Sequence, residues 1–215
     1  MIGRRAVLVA AAAMAPRLAG AALPVPQGGS LAFRMVRHGS QIGTHMLSFQ
    51  RDGETLTVRI TVDALVTFVS IPIARYEHRA VETWQGTTLV GLSAQTNKNG
   101  DHEWADARRT EEGLVVLGSK TKRYLAPTVA IPTSYWNKQM LDGPMISLED
   151  GVLLRPKVSL SAAEAIPLAS GATVVADHYN LSGAFNIDLW YDRSGGWAGM
   201  AFTVVDGSTV RYERL

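Results

Sequence analysis

Residues 55–66 alternate, Leu56, Val58, Ile60, Val62, Ala64 and Val66 on one phase and Thr55, Thr57, Arg59, Thr61 and Asp63 on the other. A period of two sends successive side chains of an extended chain to opposite faces, so this segment reads as a β-strand with one buried and one wet face. Similar runs occupy residues 30–38, 41–50, 76–84, 87–96, 102–109 and 113–117, and, after a gap, 152–160, 173–181, 185–191, 197–205 and 208–212. Between them stand Gly, Asn and Asp, as in His38-Gly39-Ser40, Arg51-Asp52-Gly53, Asn99-Gly100-Asp101 and Asp206-Gly207. These residues tolerate the positive φ that tight hairpins require. About eleven or twelve strands at roughly ten-residue spacing describe an all-β domain, an antiparallel meander. Such a sheet must bury one face, so it forms a curved sheet or incomplete β-barrel around a plug segment.

The plug is expected in residues 120–150, a stretch too long for a bare hairpin loop. Its centre reads Ile131-Pro132-Thr133-Ser134-Tyr135-Trp136-Asn137. One short inserted helix fits there, with Thr133 or Ser134 as N-cap and Gly143-Pro144 as the stop. Tyr135, Trp136, Met140 and Leu141 would supply its apolar contacts.

The first residues are of a different kind. Arg4 and Arg5, an apolar run over residues 6–15 and small residues at Gly20-Ala21-Ala22 have the form of an export signal over residues 1–22, leaving 23–215 as a single domain. The run is shorter than the ~20 residues a bilayer span needs, so no transmembrane span is expected and the apolar run reads as cleavable. Either a Sec or a twin-arginine signal would place the protein in the periplasm or outside the cell. Three of the 21 basic side chains, Arg4, Arg5 and Arg17, fall in this leader, which leaves 18 against 19 acidic ones. A near-neutral domain lacks the basic footprint of a nucleic-acid partner. With no cysteine there is no disulfide, thiolate metal site or thiol nucleophile.

Several segments together resemble a bacterial secreted family known as domain of unknown function 6134. They are Arg75-Tyr76-Glu77-His78-Arg79-Ala80, Pro132-Thr133-Ser134-Tyr135-Trp136-Asn137, and Asp188-Leu189-Trp190-Tyr191-Asp192 ahead of Trp197. The resemblance covers nearly all of the chain after the leader, and its most specific part is Pro-Thr-Ser-Tyr-Trp-Asn. It implies no catalytic residues. More loosely, the chain is similar to periplasmic lipoprotein-carrier-like incomplete barrels, which implies a shape and a tendency to bind apolar ligands.

Chemistry is best sought on residues 76–84. Tyr76, His78, Ala80, Glu82 and Trp84 share one face, opposite Glu77, Arg79, Val81 and Thr83. Facing a concavity, that row would orient a polar head in an apolar pocket. The commoner arrangement has neighbouring strands satisfying such groups as cross-strand pairs, or the face simply wet. From the inserted segment, Tyr135, Trp136 and Asn137 are the residues best placed as pocket wall or plug contact.

The five histidines, at 38, 45, 78, 102 and 178, show no metal-ligand spacing, and no Gly-x-Ser-x-Gly elbow or phosphate-cradling loop occurs. No catalytic residue, metal or cofactor is therefore assigned. The expected function is binding of an apolar or amphipathic ligand, a lipid or other apolar small molecule. The alternatives are a cofactor-free enzyme using His78, Glu82 or Asp188, and an interaction module for an envelope protein. For the latter, Phe68-Val69-Ser70-Ile71-Pro72-Ile73 would be an exposed apolar lip, unless the strand simply runs longer as ordinary core.

Overall fold

The computed structural model describes residues 22–68 and 71–215, with side chains left undescribed at 68, 71 and 72. The expected leader thus lies outside the described residues, except for Ala22.

Among the described residues, seventeen strands carry the fold. The first eight form an unbroken meander: β1 (Ser30–Arg37), β2 (Ser40–Asp52), β3 (Thr55–Phe68), β4 (Ile71–Gln85), β5 (Thr88–Lys98), β6 (Asp101–Thr110), β7 (Gly113–Gly118) and β8 (Thr121–Leu125). Three two-residue strands follow, β9 (Ile131–Pro132), β10 (Met145–Ile146) and β11 (Leu153–Leu154), with a 3-10 turn over Lys138–Asp142. The chain then returns through β12 (Lys157–Leu160), β13 (Glu164–Pro167), β14 (Thr173–Ser182), β15 (Ile187–Asp192), β16 (Trp197–Thr203) and β17 (Thr209–Arg214).

One 14-stranded antiparallel sheet holds all but β9, β10 and β11, and its order places β17 beside β1. The N-terminal and C-terminal strands therefore meet in the middle of the sheet. Its two outer edges are β8 and the β12–β13 side of β14, which do not pair with each other. The sheet is curved and not closed into a barrel. Residues 126–156, which join these two edges, occupy the concavity. Their own small sheet runs β11-β10-β9, and Ala130, Trp136, Met140, Met145, Ile146 and Leu148 are buried in the main core.

Burial follows the alternation in the sequence. Leu56, Val58, Ile60 and Val62 of β3 are buried, as are His78, Ala80, Glu82 and Trp84 of β4 and Ala105 and Ala107 of β6. On the other face, a second cluster of Ile166, Ala176, Trp190, Ala198 and Ala201 covers the C-terminal strands. Turn chemistry sets the register: Asn99 and Gly100 both adopt positive φ, 57° and 100°, the requirement of the two-residue turn between β5 and β6. Gly118 has a different reason. A Cβ there would collide with the Asp150 carbonyl, because the end of the plug lies directly on β7.

The structure departs from the sequence expectations at three places. The strand expected over 152–160 is split into β11 and β12, because Pro156 between them has no N–H for the ladder. The segment leaving the sheet begins at Ala126 rather than at residue 120, since Thr121–Leu125 add one more hairpin strand against β7. The N-cap is Asn137 rather than Thr133 or Ser134: the Asn137 side chain accepts from the Gln139 N–H at 3.2 Å, while Thr133 Oγ1 accepts from the Leu148 N–H. The helix it caps is a single 3-10 turn that ends before Gly143, as expected. Of the two forms expected for the apolar segment, the longer strand is the one found, and the strands run on through most of it. β3 reaches Phe68 and β4 starts at Ile71, so of the lip residues Val69 and Ser70 lie outside the described ones. Ile73 is 58% exposed.

Candidate functional site

Facing rows of the sheet and the plug enclose a cavity of about 730 Å³. Its wall is largely apolar and comes from β1–β4 and β15–β17, with Met35, Ile60, Val62, Ile187, Met200 and Phe202 among the contributors. The plug closes one side through Thr133, Ser134, Tyr135, Ser147, Leu148 and Glu149. Ile73 and the fully exposed Val205 lie on its rim with Arg37 and Asp206.

The polar lining is concentrated on few groups. Tyr76 donates its hydroxyl to Glu149 at 2.8 Å, and the other Glu149 oxygen accepts from Lys98 Nζ at 2.6 Å. His78, 3% exposed, shares a 2.8 Å hydrogen bond between Nδ1 and Thr96 Oγ1 of β5. Burial lowers its pKa to about 4, helped by the nearby cations Arg79 and Lys98. His45 is buried among Phe33, Trp197 and Tyr212, whose rings lie edge-on or tilted to one another at 4.2–6.4 Å between centroids. Neither His45 nitrogen has a hydrogen-bond partner, and burial lowers its pKa to about 3, with a further contribution from His78. Both imidazoles are therefore neutral at neutral pH. Burial first, and Glu149 beside them, also push the phenols of Tyr76 and Tyr135 up, so they stay protonated.

The sharp bend in Pro132-Thr133-Ser134-Tyr135-Trp136-Asn137 divides that motif between two jobs. Tyr135 sits at φ 65°, a left-handed conformation uncommon for an aromatic residue, and its carbonyl accepts from the Tyr191 hydroxyl at 2.8 Å. Before the bend, Ser134 and Tyr135 line the cavity; after it, Trp136 and Asn137 sink beneath the floor, each 1% exposed. There the Trp136 indole donates to Glu82 Oε2 at 3.0 Å, and the Trp84 indole donates to the same oxygen at 2.9 Å. The two indoles cross edge-to-face at 5.7 Å. Glu82 is fully buried, and desolvation raises its pKa against the lowering pull of its hydrogen-bond donors. Ser134 stands near enough to act as one of them, yet its hydroxyl and Glu82 Oε1 fall short of a full hydrogen bond and both remain unpartnered.

Of the residues singled out in the sequence, Tyr76, His78 and Tyr135 line the cavity, whereas Glu82 and Trp136 form the buried joint between plug and sheet and Asn137, also buried, caps the 3-10 turn of the plug. The row from Tyr76 to Trp84 is neither wet nor paired off as surface charge; it is the inner face of β4. Asp188 is not part of it. It lies on the outer face of β15, where His178 contacts both Asp188, at 2.8 Å, and Glu164, at 3.3 Å, while stacking on Trp190. His45, Ser134, Glu149 and Tyr212 were not singled out. For His45 the signal was present: it shares the inward phase of β2 with Leu47 and Phe49, a polar ring in an apolar row. Among the described residues no group of three or more His, Asp or Glu could hold a metal ion.

Comparison with known proteins agrees with this architecture. A crystal structure of a beta-barrel-like protein of domain of unknown function DUF1849 from Brucella abortus is similar over 86% of this chain and 94% of that one, with a TM-score of 0.58 and 12% identity. That likeness concerns the fold alone. No curated protein matches the chain. The model of the family described as domain of unknown function DUF6134 matches residues 33–215. That span begins within β1 and takes in the rest of the curved sheet and the plug, so the chain belongs to the DUF6134 family.

Proposed function

We propose that this protein binds an apolar or amphipathic small molecule, of lipid type, in the cavity between its curved sheet and its plug. The observation that carries the reading is a cavity of about 730 Å³ with an apolar wall and a few polar groups gathered on it. That size and composition suit a small-molecule site, where apolar area supplies affinity and a few polar groups fix orientation. The plug supports the reading too, since Trp136, Met140, Met145 and Ile146 fill the rest of the concavity with well-packed side chains and leave this region open. Export through the leader-like residues 1–22 would bring the domain to the periplasm or beyond, where envelope lipids are at hand. The His–carboxylate contacts of the molecule, at His178, lie on the opposite face of the sheet and lend no support to an enzyme built in the cavity.

Native mass spectrometry and lipid extraction of the protein purified from a periplasmic fraction test the proposal. A stoichiometric acyl or isoprenoid species is expected, and it should be lost from Ala64→Phe, which fills the cavity from β3, while circular dichroism of the variant stays that of a β-protein. A clean apo mass together with no uptake of a fluorescent fatty-acid probe would overturn it, and capture of an envelope protein partner would then be the next experiment.

A further inference from the structure

The polar groups around the cavity also constrain the head group of its ligand. The charged side chains on its lining are Arg37, Glu149 and Asp206. Each is already engaged: Arg37 with Asp206 and with Ser208, and Glu149 with Tyr76 and Lys98. An anionic head would have to shed its water against two neutral imidazoles and the Glu149 carboxylate, with no free cation among the described residues of the lining to receive it. A cationic head would find the carboxylates already taken. Bringing an unpaired charge into such a place is strongly unfavourable.

What the lining does leave unpartnered is a neutral imidazole. Both nitrogens of His45 are buried without a partner on a residue that lines this cavity, whereas the Ser134 hydroxyl is turned to Glu82; neither His45 nitrogen is open to a water-sized group as the ring stands, so a ligand oxygen reaches one only as the ring turns toward it. A neutral imidazole presents one N–H donor and one lone-pair acceptor, and a hydroxyl presents both functions as well. Buried polar groups of this kind are seldom left unpaired in a folded protein, and a partner entering the cavity would complete them.

Resting on the ligand-binding reading above, we infer that the cavity selects an uncharged amphiphile with a hydroxyl-type head, a long-chain or isoprenoid alcohol, which bonds to His45 while its tail runs to the apolar rim at Ile73 and Val205. An alcohol matches His45 because it can accept from one ring nitrogen or donate to the other, and it enters without an ion to desolvate. The exposed apolar side chains on the rim, Ile73 at 58% and Val205 fully exposed, suit a tail that emerges last.

Binding of four probes with matched chains, decanol, decyl sulfate, decyltrimethylammonium and decane, measured by native mass spectrometry and by quenching of tryptophan fluorescence, decides the matter. Decanol should bind at least about tenfold more tightly than the other three. His45→Phe keeps an aromatic ring among Phe33, Trp197 and Tyr212 but removes both nitrogens. It should lower decanol affinity to that of decane while leaving decane binding and the unfolding midpoint near those of the parent. A charged probe or decane binding as tightly as decanol, or His45→Phe binding decanol undiminished, would overturn the head-group inference and leave the cavity reading intact. Failure of all four probes to bind would overturn both.

Discussion

Two buried polar clusters share the inner face of the sheet, and the plug treats them differently. Around Glu82 it supplies Trp136, whose indole joins that of Trp84 on one carboxylate oxygen, and the space is filled. Around His45 it supplies only Ser134, Tyr135 and their neighbours, and about 730 Å³ stays open in front of an unpartnered ring. The same strand chemistry thus makes a joint where the plug fills it and a candidate site where it does not. Inward polar residues on a β-sheet take their meaning from what covers them.

The largest effects should come from breaking the joint. Trp136→Ala removes a 1%-exposed indole, its edge-to-face contacts with Trp84 and Phe49 and one partner of Glu82. A loss of about 3–5 kcal/mol is expected by urea denaturation. An unchanged urea midpoint would mean that the plug contributes little to the fold.

Gly118→Val should cost nearly as much for a different reason. Its side chain would push the Asp150 backbone off β7, where Lys120 N–H and the Tyr124 hydroxyl hold that end of the plug through the carbonyls of Asp150 and Gly151. Hydrogen exchange should then speed up at residues 147–152 before it does in β3 and β4. Uniform exchange throughout would show the plug to be uncoupled from this edge.

Acid should separate the two clusters. His45 and His78 have pKa values lowered from 6.5 to about 3 and about 4, so below pH 6.5 the unfolded chain binds protons that the folded one refuses. Stability should fall as pH drops from 6.5 toward those values, by up to about 1.4 kcal/mol per pH unit for each ring. Glu82 acts with the opposite sign: its folded carboxyl keeps a proton that the unfolded one releases above its ordinary 4.5, so its contribution falls as pH rises past that point. Urea midpoints from pH 4 to 8 in the parent and in His78→Gln should show a shallower acid limb in the variant; equal limbs would remove His78 from the account.

The smallest effect belongs to Glu82→Gln. The amide oxygen can still accept from both indoles and the amide nitrogen can reach toward Ser134, so stability at neutral pH should stay within about 1 kcal/mol of the parent or rise. Loss of the decline that Glu82 contributes as pH rises past 4.5 is the signature to look for. A loss of several kcal/mol would mean that the charge itself holds the joint.

Much of the sheet was legible in one dimension because a strand writes its burial every second residue and its turns in Gly, Asn and Asp. The bounds of β2 to β7 follow from that pattern to within a few residues, apart from the start of β4, which runs back through the apolar segment to Ile71. β9, β10 and β13 were not legible, since two to four residues are too few to show a period. The row Tyr76, His78, Ala80, Glu82 and Trp84 could be read as one face, but not as the inner one, because alternation assigns sides without saying which side is covered.

The sequence by itself determined an all-β meander, a long segment that interrupts it, and a polar row on β4, all of which follow from local spacing and the φ preferences of turn residues. Only the tertiary structure decided that β17 closes onto β1 and that Tyr135 and Trp136, adjacent in the chain, serve a cavity and a joint respectively. Those outcomes depend on contacts between residues far apart in the chain, such as Trp136 with Glu82 and Tyr191 with Tyr135, where hydrogen bonds and packing are satisfied only once the sheet has curved.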